Sequence, residues 1–284
     1  MFKTFKTLIE LGKFGHKLEK SMKEMPTATY NNLIYTEDFS ECIGMKKRIK
    51  DDILSFHPDT EKIDTKVFTN IPIKKVDLTN TKVKAIGPQI FNNQIEEISF
   101  PDTLSHIKDE SFMNSNLKEL NIENTLLDFI SYRSFKECID LENVSFPKCL
   151  EEIEQEAFKD CAKLKKVDFS DTMLHTVNTK AFENCENLKE VLFPEKLFRI
   201  NAFAFKNTSL SKIDLKNAKF IDLSAFLNTN IDCIHLPEDV GVLSFTEPED
   251  EVVKKLNVSY NGNNKEVLEK LKKYEEDGLV NVIK

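Results

Sequence analysis

The 284-residue chain has no tryptophan and only seven glycines. So few glycines leave no Gly-rich loop to cradle a phosphate, which excludes nucleotide chemistry that depends on one. No stretch approaches 18 consecutive apolar residues, so none reads as a membrane span. Basic residues are in the minority: 40 Lys and Arg face 48 Asp and Glu, for a formal net charge of −8. A nucleic-acid binder normally carries a basic field that gathers phosphates, and this chain lacks one. The segment Met1 to Met25 has no unbroken apolar stretch, because Lys3, Lys6, Lys13, Lys17 and Lys20 interrupt it, so a conventional secretory signal is not expected. None of the six cysteines lies in a C-x-x-C pair and there is no H-E-x-x-H, so no zinc site and no other cofactor is expected. Without a signal segment the thiols read as free, in a reducing, cytoplasmic setting. The alternative is a cell-surface location reached by a non-classical route.

Phenylalanine, by contrast, is abundant, with 22 in the chain. Eight of them recur at intervals of 21 to 24 residues: Phe68, Phe91, Phe112, Phe135, Phe158, Phe182, Phe205 and Phe226. Two residues after each comes a short polar side chain or an acid: Asn70, Asn93, Asn114, Glu137, Asp160, Asn184, Asn207 and Asn228. Such residues suit a tight turn repeated in every unit. A second frame, apolar-x-x-apolar-x-apolar, accompanies the Phe, as at Leu141/Val144/Phe146, Leu164/Val167/Phe169 and Leu188/Val191/Phe193. Its alternating part has the period of a strand. Pro101, Pro147, Pro194 and Pro237 follow the frame, and Pro, lacking an N–H, can end the paired stretch. Apolar pairs such as Leu104/Ile107, Leu150/Ile153 and Leu197/Ile200 then complete the inner wall.

A unit of this length cannot bury its own core; stacking the units joins their apolar rows. The expected architecture is an α/β repeat, a leucine-rich-repeat solenoid of about nine to ten coils, from these unit lengths. It carries a parallel sheet on one face, and the Phe residues form a ladder inside the convex wall. The full frame, L-x-x-V-x-F-P-x-x-L-x-x-I-x-x-x-A-F-x-x-C, is met by residues 141–161 and closely by 188–205. It resembles the BspA-type, or Treponema-pallidum-type, leucine-rich repeat family over roughly residues 51–245, with the protist expansion of that family as one source. The resemblance implies a solenoid used for protein contact or adhesion. Bacterial members of that kind look like surface adhesins that bind host matrix proteins.

The ends read as caps. The region 1–50 is expected to be a helical N-terminal arm and cap. Within it Phe39, Cys42, Ile43 and Ile49 suggest a capping helix over 38–50, and Leu11, Phe14, Leu18 and Met25 form one seam of a basic helix. That first helix is read as a cap or arm, with membrane-surface contact or a partner groove as the sharper alternatives. Residues 246–284 are expected to cap the other end: an acidic loop from Glu247 to Glu251, then strand, helix and strand. Asn263 and Glu266 read as helix start, Val267, Leu268, Leu271 and Tyr274 as the apolar side, and Gly278 as the stop.

The expected function is a non-catalytic protein-binding scaffold. The candidate face is made of outward strand positions: Lys118, Glu119, Asn121, Glu142, Asn143, Ser145, Lys165, Lys166, Asp168, Lys189 and Glu190. Its mixed charge gives no single-sign field. The alternative is a cell-surface adhesin. A remote one is a cysteine hydrolase, since Cys233 and His235 sit two apart on one strand with Asp214 one coil earlier. A solenoid sheet offers no evident oxyanion hole for it. His16, His57, His106 and His175 are isolated, and Cys138, Cys161 and Cys185 read as buried core thiols. The sequons at Asn143, Asn207 and Asn257 match chance expectation and carry no information on secretion. The partner is expected to be a protein and the chain a monomer, because solenoid sheet edges are short.

Overall fold

The computed structural model describes residues 27–31, 33–45, 53–63, 68, 73–91, 95–249 and 254–283. They form a parallel β-solenoid of about ten turns. Each turn is built in three segments, and each segment has its own reason in the sequence.

The apolar-x-x-apolar-x-apolar frame supplies three-residue strands such as Glu119–Asn121, Asn143–Ser145, Lys166–Asp168 and Glu190–Leu192. Alternation turns the middle residue inward and its neighbours out. Leu120 and Val167 are buried while Glu119, Asn121, Lys166 and Asp168 are exposed. Successive strands pair in parallel and in register, Glu119 opposite Asn143 and Lys166 opposite Glu190.

The segment after the Pro was expected to complete the inner wall, with the sheet on one face only. It is a strand too, of two residues in most turns, so the solenoid carries two parallel sheets and not one. On this second face Phe129–Ile130, Glu152–Ile153, Thr176–Val177, Arg199–Ile200, Phe220–Asp222 and Val242–Ser244 pair in one continuous ladder. Strands this short carry one inward and one outward side chain, too little to show a period in the sequence.

The third segment holds the Phe. From Phe112 onward the residue before it is small and buried: Ser111, Ser134, Ala157, Ala181, Ala204 or Ala225. That lets adjacent backbones close into a third ladder, with Phe135 N donating to Ala157 O at 2.9 Å and Phe158 N to Ala181 O at 2.8 Å. The polar residues two after each Phe are left-handed, with φ of 61° at Asn114, 61° at Glu137, 65° at Asp160, 62° at Asn184, 58° at Asn207 and 56° at Asn228. Asn and Asp tolerate this region at low cost, which explains their recurrence. The residues two before the Phe, Glu110, Arg133, Glu156, Lys180 and Phe203 among them, are left-handed as well. Asn70 and Asn93 lie outside the described residues.

Between these walls the Phe rings form one buried column. Phe112, Phe135, Phe158 and Phe182 follow one another at centroid spacings of 5.3 Å with interplanar angles of 8° or less. That is an offset parallel stack, the geometry aromatic quadrupoles favour over a direct sandwich. Phe146 meets Phe158 edge-on at 5.9 Å and 88°, tying the first strand to the column.

The N-terminal cap departs from expectation. Residues 38–45 are turn and strand, not helix. Thr27–Tyr30, Leu33–Thr36 and Glu41–Met45 make an antiparallel meander, and its last strand pairs in parallel with Lys62–Ile63. Leu33, Tyr35 and Cys42 are fully buried, an every-second-residue pattern that spacing of Phe39, Cys42 and Ile43 had disguised. Asp38 closes the turn by accepting from Thr36 Oγ1 at 2.7 Å and Ser40 N at 3.0 Å. The expected helical arm over 1–25 and the rest of the expected capping helix lie outside the described residues.

The C-terminal cap is strand Leu256–Tyr260, helix Lys265–Glu276 and strand Val280–Ile283. The helix is capped by Asn264, whose side chain accepts from Glu266 N, and not by Asn263. Val267 and Leu271 are buried, but Leu268 is exposed, so the apolar side is narrower than the sequence suggested. Gly278, at φ 79°, ends the helix. Asp222 holds the stretch that leads into this cap by accepting from Ser244 Oγ at 2.7 Å and Thr246 Oγ1 at 2.8 Å.

Candidate binding face

The expected face exists as a surface. Lys118, Glu119, Asn121, Asn143, Ser145, Lys165, Lys166, Asp168 and Lys189 are exposed, and Glu142 and Glu190 are half-buried. Register brings them into rows, one residue per coil. Their charges neutralise each other along the stack: Lys165 Nζ lies 2.5 Å from Glu142, and Lys166 Nζ lies 3.3 Å from Glu190 and 3.7 Å from Asp168. Lys165, by hydrogen bond, holds the Glu142 carboxyl below its ordinary value. Burial would raise Asp168, but the Ser170 hydroxyl and amide outweigh it and keep that carboxyl low. Exposed pairs like these contribute little to stability and are cheap to exchange for a partner's charges.

The Cys233, His235 and Asp214 grouping is not assembled as a nucleophile. His235 Nδ1 pairs with Ser259 Oγ at 2.6 Å on the following strand. Cys233 Sγ instead approaches the Ile234 carbonyl at 4.0 Å. Asp214 accepts from Lys216 N at 3.1 Å and lies 3.7 Å from Lys216 Nζ. Asp214 and His235 line an open recess of about 600 Å³ with Lys216, Glu238, Asp239 and Asn261, and Cys233 is not among its lining residues. No hydrogen bond joins thiol, imidazole and carboxylate among the described residues.

The core thiols are buried as expected, and they donate across coils: Cys138 Sγ to Phe112 O, Cys161 Sγ to Phe135 O and Cys185 Sγ to Phe158 O, each at 3.2 Å. Burial first, then the neighbouring thiols, push Cys161 well above the ordinary thiol range.

A charged row on the Phe side escaped the sequence reading. Buried Glu156 accepts from Arg133 Nε and Lys136 Nζ, both at 2.9 Å. Burial alone would push Glu156 up, but those two cations outweigh it and hold its carboxyl at about 2. Arg133, Lys136 and Glu156 stand at fixed offsets from successive Phe residues, a signal visible once the coil is aligned on the Phe. No described helix is long and apolar enough to cross a membrane.

The match to known proteins follows this geometry. The profile described as BspA type leucine rich repeat region matches in six copies, over residues 17–132 and 128–246. No curated protein matches the chain. Among solved structures, a leucine-rich repeat protein of Bacteroides ovatus is similar at 19% identity with a TM-score of 0.58, over 84% of this chain and 70% of that one. One from Eubacterium ventriosum is 18% identical with a TM-score of 0.48, over 66% of this chain and 51% of that one. A Treponema pallidum leucine-rich repeat protein is 18% identical with a TM-score of 0.39, over 65% of this chain and 86% of that one. The Bacteroides ovatus likeness speaks for the fold, and the six-copy profile speaks for descent: the chain belongs to the BspA-type leucine-rich repeat family.

Proposed function

We propose that the chain is a non-catalytic scaffold that binds a protein through its first sheet, around Lys118, Glu142, Lys165, Lys166 and Glu190. The observation that carries this reading is the mutual neutralisation of an exposed, in-register charged plane, with Lys165 on Glu142 and Lys166 on Glu190. Such a plane needs no counterions of its own and can trade its pairs for those of a partner without stranding a charge. The unassembled Cys233, His235 and Asp214 grouping supports a role without catalysis. Six free cysteines support a reducing, cytoplasmic setting, which protease shaving of intact cells tests: a surface adhesin would be removed and a cytosolic scaffold spared.

The partner is to be captured from the native cell and its affinity measured against wild type and the double variant Lys165→Glu, Lys166→Glu. The double reversal is expected to weaken binding roughly tenfold. Equal affinity of the two proteins would move the binding surface elsewhere.

A further inference from the structure

The outward residues of the second sheet form one straight row in register: Phe129, Glu152, Thr176, Arg199, Phe220 and Val242. The row is rich in large apolar groups for an open sheet. Val242 is 36% exposed, and Phe198, adjoining Arg199 in sequence, is 43% exposed with its ring 4.8 Å from that of Phe220. Arg199 holds its guanidinium over the Phe220 ring at 4.2 Å and has no carboxylate partner among the described residues. Glu152 accepts from Asn178 Nδ2 at 2.5 Å and has no cation partner among the described residues. One unpaired cation and one unpaired anion thus stand on the same face, one strand to either side of Thr176.

The row is self-complementary about Thr176. A half-turn about an axis parallel to the strands reverses the coil order and keeps the strand direction. It lays Arg199 of one copy on Glu152 of the other. Two strands out it lays Phe220 on Phe129, and three strands out Val242 on His106, whose ring packs edge-on to Phe129 at 6.2 Å. His106 and Phe129 line a recess of about 550 Å³ at that end, with Ala85, Pro88 and Ile107 among its walls, and the same half-turn brings the opposite copy's Phe220 and Val242 over it. In the flanking row, Lys219, which also pairs with Asp239 of its own chain, comes to face Asp128, again opposite in sign. Each of these contacts occurs twice, as an isologous interface requires.

We propose that the second sheet is the interface of a homodimer with the coils of its two copies running in opposite directions, its two symmetric Arg199–Glu152 pairs flanking Thr176. The monomer expectation rested on short sheet edges; this complementarity lies on a face. The matched rows, from His106 to Val242, span about six strand spacings, roughly 29 Å, which belongs with the smaller, concentration-dependent interfaces. The dimer leaves the first sheet uncovered and presents it twice, raising avidity for a repetitive partner. It stands independently of the scaffold reading.

Sedimentation velocity on the full chain tests it, over roughly 5 to 500 µM, where an interface of this size exchanges. Wild type is expected to shift from monomer to dimer over that range. Arg199→Glu and Glu152→Arg are each expected to stay monomeric, since each sets like charges against one another. Mixed in equal amounts they restore both pairs and are expected to form a one-to-one dimer, a recovery that misfolded variants would not give. A wild type that remains monomeric overturns the proposal. So does an Arg199→Glu variant that dimerises like wild type, and so does a mixture that stays monomeric.

Discussion

Cys161 donates its thiol to the main-chain carbonyl of Phe135, one coil away, at 3.2 Å, while Thr208 and Thr229, at the equivalent place in later coils, bond their own coil's Phe205 and Phe226 carbonyls at 2.8 and 2.9 Å. The position thus demands a donor near a Phe carbonyl, and thiol and hydroxyl satisfy it from opposite sides. Cys161→Thr is therefore expected to be milder than Cys161→Val, which offers similar bulk but no donor. The gap should be about 1 kcal/mol, the usual net value of a buried hydrogen bond. Urea denaturation of the two variants measures it, and a Val variant as stable as the Thr variant would deny the thiol its bonding role.

Thiol accessibility gives a second expectation. Cys149 is exposed, Cys233 is half-buried, and Cys42, Cys138, Cys161 and Cys185 are buried. Burial drives the Cys42 thiol up to about 12. Because His235 is engaged with Ser259 and leaves Cys233 unactivated, iodoacetamide at neutral pH should label Cys149 at least as fast as Cys233 and spare the four buried thiols. Mass-spectrometric mapping with time reads the order. Labelling of Cys233 well ahead of Cys149 would reinstate it as a nucleophile.

The central coils were legible because a stacked repeat projects one dimension of structure onto the sequence: Phe158 must sit over Phe135 and under Phe182, so its spacing is fixed by the coil. The three-residue strands showed for the same reason, since Leu120 and Val167 alternate with exposed neighbours. The second sheet did not show, because Glu152–Ile153 or Thr176–Val177 is too short to display a period. The cap over 38–45 misled because Phe39, with a left-handed φ of 61°, lies in a hairpin turn, so its spacing to Cys42 carries no helical meaning. In the candidate face, the exposed rows were legible; the Lys165–Glu142 and Lys166–Glu190 pairing needed the register. Arg199 and Glu152 stood unrecognised because their strands did.

Asn184 combines a left-handed backbone, φ 62°, with a side-chain ladder, donating to Asp160 at 2.6 Å and accepting from Asn207 at 2.7 Å. Asn184→Gly removes only the ladder, while Asn184→Ala also forces a Cβ without a polar side chain into the left-handed region. Alanine is expected to be the more damaging by about 1 kcal/mol. Thermal denaturation of the pair tests this, and a Gly variant less stable than the Ala variant would place the residue's value in its side chain alone.

Glu156 sets an acid dependence whose sign follows from its lowered carboxyl. The folded value is about 2, against an ordinary 4.5, so the stabilisation is complete above the ordinary value and disappears as pH falls through the folded one. A shift of this size corresponds to a pH-dependent contribution on the order of 3 kcal/mol. Wild type should exceed Glu156→Gln in stability at pH 7, and the difference should close between 4.5 and about 2. Denaturation curves at several pH values give the comparison; a difference that stays constant across that window would mean Glu156 remains ionised in neither state or in both alike.

Asp222 is buried and accepts only from donors that have hydrogen to give: Ser224 N at 3.0 Å, the Ser224 hydroxyl, Ser244 Oγ at 2.7 Å, Thr246 N at 3.2 Å and Thr246 Oγ1 at 2.8 Å. Asn at this place keeps the shape but turns an NH2 group toward donors on one side. Two bonds of one oxygen, those of Ser244 and Thr246, or their counterparts on the other, must then be lost or reversed. Both hydroxyls can turn round to accept from that NH2 but then give up other contacts, so the cost is about 1 kcal/mol, the net value of one hydrogen bond. Because Ser244 and Thr246 lead into the C-terminal cap, the effect should be local. Hydrogen exchange in Asp222→Asn should quicken in Leu256–Tyr260 and Lys265–Glu276 while Asn143–Ser145 and Lys166–Asp168 keep their protection. Faster exchange spread evenly along the stack would show that Asp222 supports the whole solenoid and not its end.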